Sequence, residues 1–206
     1  MRYSPDYGGG SLSDVITLAQ VVKFLGCARM FEIGTFRGYT TFHLALNSPE
    51  GAQVFTLDLP ALGVSEAKLE LTDLQFIQKP SSGEWFKNAE CQPTITQLFG
   101  DSAAFDYSAY EGNMDFVYVD GAHSFAYAMA DSLTARRLLA PHGIIMWHDY
   151  PTYPGVWRCI EELSREWPGQ FAWVNGTALV MWKPDANDAQ SHHAKPILPG
   201  IDAASV

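Results

Sequence analysis

The amino-acid sequence predicts an α/β fold with a doubly wound, mostly parallel sheet of seven strands. Short apolar runs of strand length alternate along the chain with longer segments in which apolar residues recur at helical spacing. Near the C-terminal end, Asn175-Gly176 separates two apolar runs, which is a strong signal for an antiparallel β-hairpin. The expected architecture is therefore a Rossmann-like sheet that ends in an antiparallel C-terminal hairpin.

In the first half of the chain, a glycine-rich segment precedes a regular alternation of predicted helices and strands. Residues 1–10 are predicted to be a flexible lead-in, and Ser11 begins a capping-box pattern that opens a helix ending at Gly26. Strands and helices then follow at residues 30–33 (strand), 39–46 (helix), 53–57 (strand), 65–78 (helix, broken by Lys79-Pro80) and 94–99 (strand).

In the second half, residues 115–119 form an apolar run typical of a buried strand. Ser124 can cap a helix that continues through Leu139 and ends at Pro141-His142-Gly143. Residues 144–147 are predicted to be a strand, residues 155–167 a helix and residues 171–182 the hairpin. We expect residues 1–184 to form one domain and residues 185–206 a polar tail.

Composition restricts the classes of partner. The chain has 206 residues, 13 Lys and Arg against 23 Asp and Glu, and a formal net charge of −10, which argues against nucleic acid as a partner. Three widely separated cysteines do not suggest a disulfide framework or a zinc site, so we expect a cytoplasmic protein. The sequence shows neither a signal peptide nor a membrane-spanning run, and we expect no membrane association.

The turn after the first strand is the most informative motif. It contains Glu32, Gly34 and Gly38, and Asp58 ends the next strand. Glycine permits a sharp turn and a close backbone approach to a ligand, and Asp58 can accept hydrogen bonds from ribose hydroxyls. The turn lacks the third glycine of dinucleotide sites, and an anionic Glu32 would repel phosphate but attract a cation. This pattern favours a sulfonium nucleoside over a pyrophosphate.

The turn resembles the first motif of class I S-adenosylmethionine-dependent methyltransferases, which Glu32, Gly34, Thr35 and Gly38 match in position. Ligands of open α/β sheets bind at the carboxyl ends of the strands, where the other polar clusters of this chain also lie. We therefore expect the cofactor S-adenosyl-L-methionine to be held by Glu32, Gly34, Thr35, Gly38, Tyr39, Asp58, Asp101, Ser102 and Asp120.

Residues 114–150 carry a more specific resemblance. Asp120-Gly121-Ala122-His123-Ser124 follows the fourth strand, and His148-Asp149 follows the fifth. These paired motifs are similar to those of methyltransferase family 24, and the resemblance extends over about residues 11–183. It implies the fold, the cofactor and methyl transfer. Members of that family often modify sugars and secondary metabolites, so the resemblance implies a small-molecule acceptor.

Methyl transfer to a hydroxyl gains from a base or a metal near the acceptor. The candidate catalytic residues are His123, His148 and Asp149, and either histidine could be the base. Asp120 and Asp149 end adjacent strands and could share a Mg²⁺ ion. Related O-methyltransferases often have an asparagine ligand directly after the second aspartate, where this chain has Tyr150.

Two other functions stay open at this point. One is an NAD-dependent or nucleotide-sugar oxidoreductase, against which the missing third glycine and the terminal hairpin argue. The other is a non-catalytic module that binds the cofactor without turnover. The sequence is also compatible with a homodimer.

Overall fold

The structure is a computed structural model that describes residues 10–60 and 81–185. The predicted lead-in over residues 1–9, the predicted helix at 65–78 and the tail from residue 186 lie outside the described residues. The helices and strands, in chain order, are α1 Leu12–Leu25, β1 Arg29–Ile33, α2 Tyr39–Asn47, β2 Gln53–Asp58, β3 Ile95–Phe99, β4 Met114–Val119, α3 Phe125–Leu138, β5 Leu139–Trp147, α4 Pro154–Glu166, β6 Gln170–Trp173 and β7 Val180–Lys183.

The strands form one seven-stranded sheet in the order β3-β2-β1-β4-β5-β7-β6. The first five strands are parallel to their neighbours, whereas β7 runs antiparallel to both β5 and β6. Strand order reverses direction between β1 and β4, which is the topological switch point where such sheets bind ligands. The predicted doubly wound sheet with a C-terminal hairpin is confirmed.

Side chains alternate between two apolar layers, one on each face of the sheet. In β1, Phe31 and Ile33 belong to one core with Leu138 and Leu163, from the α3 and α4 side. Met30 faces the other core, which includes residues of α1 and α2. The near-continuous apolar strands of the sequence thus reflect burial on both faces.

The capping signals that the sequence predicts at the two ends of α1 are present in the structure. The Ser11 side chain accepts a hydrogen bond from the Asp14 N–H, the Asp14 carboxylate accepts one from the Ser11 N–H, and Gly26 ends the helix in the left-handed conformation. In the hairpin, Trp173 pairs with Val180, and Asn175-Gly176 lies in the connection between them. That connection comprises residues 174–179 and is longer than the two-residue turn typical of this dipeptide. Within it, the Val174 N–H donates a hydrogen bond to the Leu179 carbonyl.

One boundary prediction was wrong. Pro141-His142-Gly143 was expected to separate a helix from a strand, but α3 ends at Leu138 and β5 begins directly at Leu139. The register between β4 and β5 shifts between Met114 and Phe116. A Cβ at Gly143 would lie 2.6 Å from the Met114 carbonyl oxygen, so glycine allows the two strands to stay close through this irregularity.

Candidate functional site

The carboxyl ends of the central strands are joined by backbone hydrogen bonds just beyond the last strand residues. The Asp120 N–H donates to the Ile33 carbonyl (2.8 Å), and the His148 N–H donates to the Val119 carbonyl (3.1 Å). Gly34 donates to Leu57 in the same way (2.9 Å). The polar clusters that the sequence predicts at separate strand ends therefore meet at one edge.

Gly34 allows this close meeting. Its φ is +101°, and a Cβ there would lie 1.9 Å from the carbonyl oxygen of Asp120. Any side chain at this position would separate β1 from β4. Thr35, the next predicted site residue, is buried and shares a 2.6 Å hydrogen bond with the Thr56 hydroxyl, so its side chain holds the turn to β2.

Glu32 lies beneath the turn and is 1% exposed. Its Oε2 accepts hydrogen bonds from the hydroxyls of Thr41 and Thr56. Burial raises the pKa of this carboxyl to about 8, although the two hydroxyls oppose the rise. Burial therefore shifts Glu32 towards its neutral form, whereas the sequence suggested a negative charge beside the turn.

Gly38 and Tyr39 begin α2. Gly38 has a φ of +79°, which places it in the left-handed region. Tyr39 is buried, and its ring packs edge-on against His43 and Trp85 at centroid distances of 4.7 and 4.9 Å. The described contacts of the Tyr39 ring are thus with other aromatic residues of the α2 side.

Two further cofactor candidates lie at the ends of β2 and β3. Asp58 is half-buried; its Oδ1 accepts from the Leu59 N–H (3.0 Å) and its Oδ2 from the Ser82 hydroxyl (2.6 Å). Asp101 accepts from the Ala103 N–H and from the Tyr127 hydroxyl, which comes from α3. Both carboxylates are thus oriented by neighbours.

Ser102 lies beside a buried acid that the sequence did not single out. Asp131, on α3, is fully buried, neither of its carboxylate oxygens has a hydrogen-bond partner among the described residues, and burial raises its pKa to about 7. A Cβ at Gly121 would lie 2.9 Å from Asp131 Oδ2, so the carboxyl reaches the loop that follows β4. The only signal in the sequence is an acidic residue on an otherwise buried helix face.

The predicted catalytic residues form one cluster. His123 Nε2 lies 2.8 Å from Asp149 Oδ2, and the His123 ring stacks on Tyr153 with centroids 3.8 Å apart. His148 Nδ1 lies 3.2 Å from Asp120 Oδ1 and 3.3 Å from Asp149 Oδ1. Asp149 has a φ of +65°, a strained conformation that turns its carboxylate between the two histidines.

A small cavity opens between these side chains. It is lined by residues from the ends of β4 and β5 and from the start of the following loops, including Asp120, Ala122, His123, Trp147, His148 and Asp149. The cavity places the histidines and carboxylates where a small ligand at the strand ends would meet them.

Asp14 completes the cluster and was predicted only as a helix-capping residue. It is 2% exposed, and its Oδ2 lies 3.5 Å from His148 Nε2. Its Oδ1 accepts from the Ala178 N–H in the hairpin connection (2.9 Å). Burial would raise the pKa of Asp14, but the contact with His148 and hydrogen bonds from Ser11 and Ala178 lower it to about 2. The sequence carries no signal for this contact beyond the capping pattern.

Three carboxylates therefore surround His148. Burial disfavours the charged imidazolium, but the contacts with Asp120, Asp14 and Asp149 outweigh burial and hold the pKa of His148 well above its usual range. Burial acts against the charge of Asp149 as well, and its contacts with His123 and His148 nevertheless lower its pKa. The cluster is thus a charged network in which His148 is the central cation.

The same cluster has the donor set of a divalent-cation site. Asp120, His148 and Asp149 each offer one ligand atom within 4.8 Å of the others. The two carboxylates suit such a cation, whereas His148 could be a ligand only in its neutral form. The Tyr150 hydroxyl donates instead to Glu161 on α4 (3.1 Å), so it does not replace the asparagine ligand of related enzymes.

Two further observations concern residues away from this cluster. Cys27, Cys91 and Cys159 are free and buried, and burial raises the pKa of Cys27 to about 11 and that of Cys159 to about 12. Among the helices of the described residues, none has the length and apolar character needed to cross a bilayer.

Solved structures share this fold. An O-methyltransferase from Bacillus cereus in complex with S-adenosylhomocysteine has a TM-score of 0.63 and 19% identity, covering 88% of this chain and 84% of its own. TomG from Streptomyces achromogenes, an O-methyltransferase involved in tomaymycin synthesis, in complex with S-adenosylmethionine, has a TM-score of 0.60 and 19% identity, covering 88% and 83%. Podospora anserina methyltransferase PaMTH1, bound to S-adenosylhomocysteine, has a TM-score of 0.63 and 15% identity, covering 89% and 82%.

A search of curated proteins finds no match. The family model of a methyltransferase domain, methyltransferase family 24, matches residues 31–150, which is more than half of the chain. The protein therefore belongs to methyltransferase family 24 and has the fold of class I S-adenosylmethionine-dependent methyltransferases.

Proposed function

We propose that this protein transfers the methyl group of S-adenosylmethionine to a hydroxyl of a small molecule such as a sugar or a secondary metabolite. The observation that carries the proposal is that one edge of the sheet holds both the glycine turn with Asp58 and the His123–Asp149 pair. The first part suits a nucleoside, and the second suits removal of a proton from an alcohol.

The cofactor side of the proposed site extends from β1 to β4. Asp58 would accept hydrogen bonds from the ribose, and Asp101 with Ser102 would contact the adenine edge. Gly34 and Gly38 would let the backbone approach, while Glu32, Thr35 and Tyr39 would shape the turn from beneath, where the structure buries them. Asp120 would face the amino-acid part of the cofactor. Three proteins of the same fold are bound to this cofactor or its demethylated product.

The acceptor side would use His123 as the base. Both ring nitrogens of His148 face carboxylates, Nδ1 towards Asp120 and Asp149 and Nε2 towards Asp14, so His148 is poorly placed to accept a proton. His123 pairs with Asp149, which would stabilise the imidazolium formed when His123 takes the acceptor proton. The attack itself is an in-line displacement at the sulfonium methyl group, for which alignment is the main requirement.

A divalent cation such as Mg²⁺ would be held by the carboxylates of Asp120 and Asp149, and it would take the place that the charged His148 ring holds between them. When bound, it would act as a Lewis acid towards the acceptor oxygen. The chain's own residues would still have to orient the acceptor and exclude water. Calorimetric titration with Mg²⁺ tests this part directly, with Asp149→Asn as the variant that should lose binding.

Two measurements test the function. Isothermal titration calorimetry with S-adenosylhomocysteine and, separately, NAD⁺ should show binding of the first alone. Methyl-labelled S-adenosylmethionine, incubated with the protein and a panel of sugars, phenols and aliphatic alcohols, should then transfer label to at least one acceptor. No binding of S-adenosylhomocysteine at millimolar concentration would contradict the proposal, and binding of NAD⁺ would favour an oxidoreductase.

The non-catalytic alternative makes a different prediction for variants. A methyltransferase with this site should lose label transfer in Asp149→Asn and His123→Gln while keeping affinity for S-adenosylhomocysteine. A module that only binds the cofactor would show no transfer in the wild type with any acceptor.

A further inference from the structure

The segment formed by residues 81–88 lies over the glycine turn. Two backbone hydrogen bonds tie it there: the Gly83 N–H donates to the Phe36 carbonyl and the Trp85 N–H to the Arg37 carbonyl, each at 3.0 Å. Arg37 Nε also lies 3.2 Å from Glu84 Oε2. This 81–88 segment thus follows the backbone of the turn that the proposed cofactor would approach.

The packing between the segment and the turn is tight. A Cβ at Gly38 would lie 2.6 Å from the Phe86 ring and 2.8 Å from the Gly83 Cα. Gly83 itself has a φ of +71°, and a Cβ there would lie 2.3 Å from the Phe86 ring. Glycine at both positions allows the contact, and the contact holds the intervening backbone in place.

Ser82 is fixed by this packing and reaches the end of β2. It is 5% exposed, and its hydroxyl donates a 2.6 Å hydrogen bond to Asp58 Oδ2. A serine hydroxyl has one proton and two acceptor positions, so once the proton is committed to Asp58 the oxygen can still accept. Among residues 10–60 and 81–185, no group donates a hydrogen bond to this hydroxyl.

We propose that Ser82 is a specificity-determining residue for the ribose of the cofactor, acting together with Asp58. The inference rests on the proposed function, because it takes Asp58 as the ribose-binding carboxylate. The Ser82 hydroxyl orients the carboxylate and accepts a hydrogen bond from one ribose hydroxyl, while Asp58 accepts from the other. If one hydroxyl is removed from the ribose, either the Ser82 oxygen or the Asp58 carboxylate loses its hydrogen-bond donor.

The pair therefore selects for a ribonucleoside over a deoxyribonucleoside. A site built to bind a hydroxyl discriminates strongly against an analogue that lacks it, because the polar group of the protein then stays desolvated and unpaired. The hydrogen bond that Ser82 accepts contributes only with ligands that carry the hydroxyl it binds.

The test compares Ser82→Ala with the wild type by calorimetry, using S-adenosylhomocysteine and its 2′-deoxy and 3′-deoxy forms. One hydrogen bond corresponds to roughly a five-fold change in affinity. We expect Ser82→Ala to weaken S-adenosylhomocysteine binding by about that factor and to weaken binding of one of the deoxy forms by clearly less. Ser81→Ala is the matched control, because the Ser81 hydroxyl lies in the same segment but donates to Glu84 (3.1 Å) and not to Asp58.

The outcomes separate the inference from the function. Equal losses for S-adenosylhomocysteine and both deoxy forms would mean that Ser82 acts only by holding the segment, and would overturn the inference while the cofactor assignment stands. Unchanged affinity for all three ligands would overturn it as well. If the wild type binds none of the three, the proposed function fails and the inference fails with it.

Discussion

Glu32 is the penultimate residue of β1, its carboxyl group contacts the hydroxyls of Thr41 and Thr56, and burial raises its pKa to about 8 from an ordinary value of 4.5. Between these two pH values the unfolded chain has released the proton and the folded protein has not. The folded state then binds more protons than the unfolded state, so the free energy of unfolding falls as the pH rises.

Replacement of Glu32 by glutamine should remove this dependence. Between pH 5 and pH 8, we expect the free energy of unfolding of the wild type to fall relative to that of Glu32→Gln, by at most about 1.4 kcal/mol per pH unit. Urea unfolding at three or four pH values measures the difference. Parallel curves for the two proteins would show that Glu32 titrates normally in the folded state.

His123 and His148 differ in their surroundings, and the difference predicts different roles. We expect His123→Gln to reduce methyl transfer by about 100-fold or more while S-adenosylhomocysteine affinity stays the same, because the base is lost and the cofactor side is intact. His142→Gln is the control, since His142 is exposed and lies in β5 away from the strand end. Normal activity of His123→Gln together with an inactive, well-folded His148→Gln would reverse the assignment of the base.

At the scale of elements, the conformation of the glycine turn depends on the 81–88 segment, which packs directly against the start of α2. Gly38 and Gly51 offer a matched pair, with φ values of +79° and +80°. A Cβ at Gly51 meets nothing within 4 Å, whereas one at Gly38 meets Phe86 and Gly83. Both substitutions by alanine strain the backbone, but only Gly38→Ala also displaces a neighbouring element.

We therefore expect Gly51→Ala to cost about 1 kcal/mol of unfolding free energy and Gly38→Ala clearly more, about 2–4 kcal/mol. Gly38→Ala should also weaken S-adenosylhomocysteine binding, because it moves the segment that carries Ser82. Chemical denaturation and calorimetry on both variants check this. Equal costs for the two variants would mean that the segment does not pack against the turn in solution.

At the scale of the whole molecule, Asp14 joins three parts that are distant in sequence. Its carboxylate caps α1 at Ser11, accepts from Ala178 in the hairpin connection and contacts His148 at the end of β5. The N-terminal helix, the hairpin and the candidate active site are thus coupled through one buried acid. A substitution of Asp14 should therefore lower the stability of the protein and also alter the catalytic cluster.

The lowered pKa of Asp14 sets the pH range of this effect. The pKa is about 2 in the folded protein against an ordinary value of 3.8, so the carboxylate stabilises the fold above pH 4 and loses this effect as the pH falls towards 2. We expect Asp14→Asn to reduce the free energy of unfolding by about 2 kcal/mol at pH 7. Acid-dependent denaturation should show the two proteins converging near pH 2, and a constant difference at all pH values would contradict the role of the charge.

Much of the fold could be predicted from local sequence. Helix and strand periods, the capping box at Ser11 and the Asn175-Gly176 signal are properties of neighbouring residues, so they determined the element order and the reversed last strand. The boundary at Pro141-His142-Gly143 was missed because a packed irregularity between β4 and β5 overrides local turn preferences.

The sequence by itself determined that carboxylates and histidines stand at the ends of parallel strands, because the sheet topology brings all such ends to one edge. Only the tertiary structure decided how they are paired. The contacts of Ser82 with Asp58 and of Asp14 with Ala178 join residues 24 and 164 positions apart, and the raised pKa of Glu32 depends on its burial. Such contacts depend on the three-dimensional environment of each group, which residue type and spacing alone do not define.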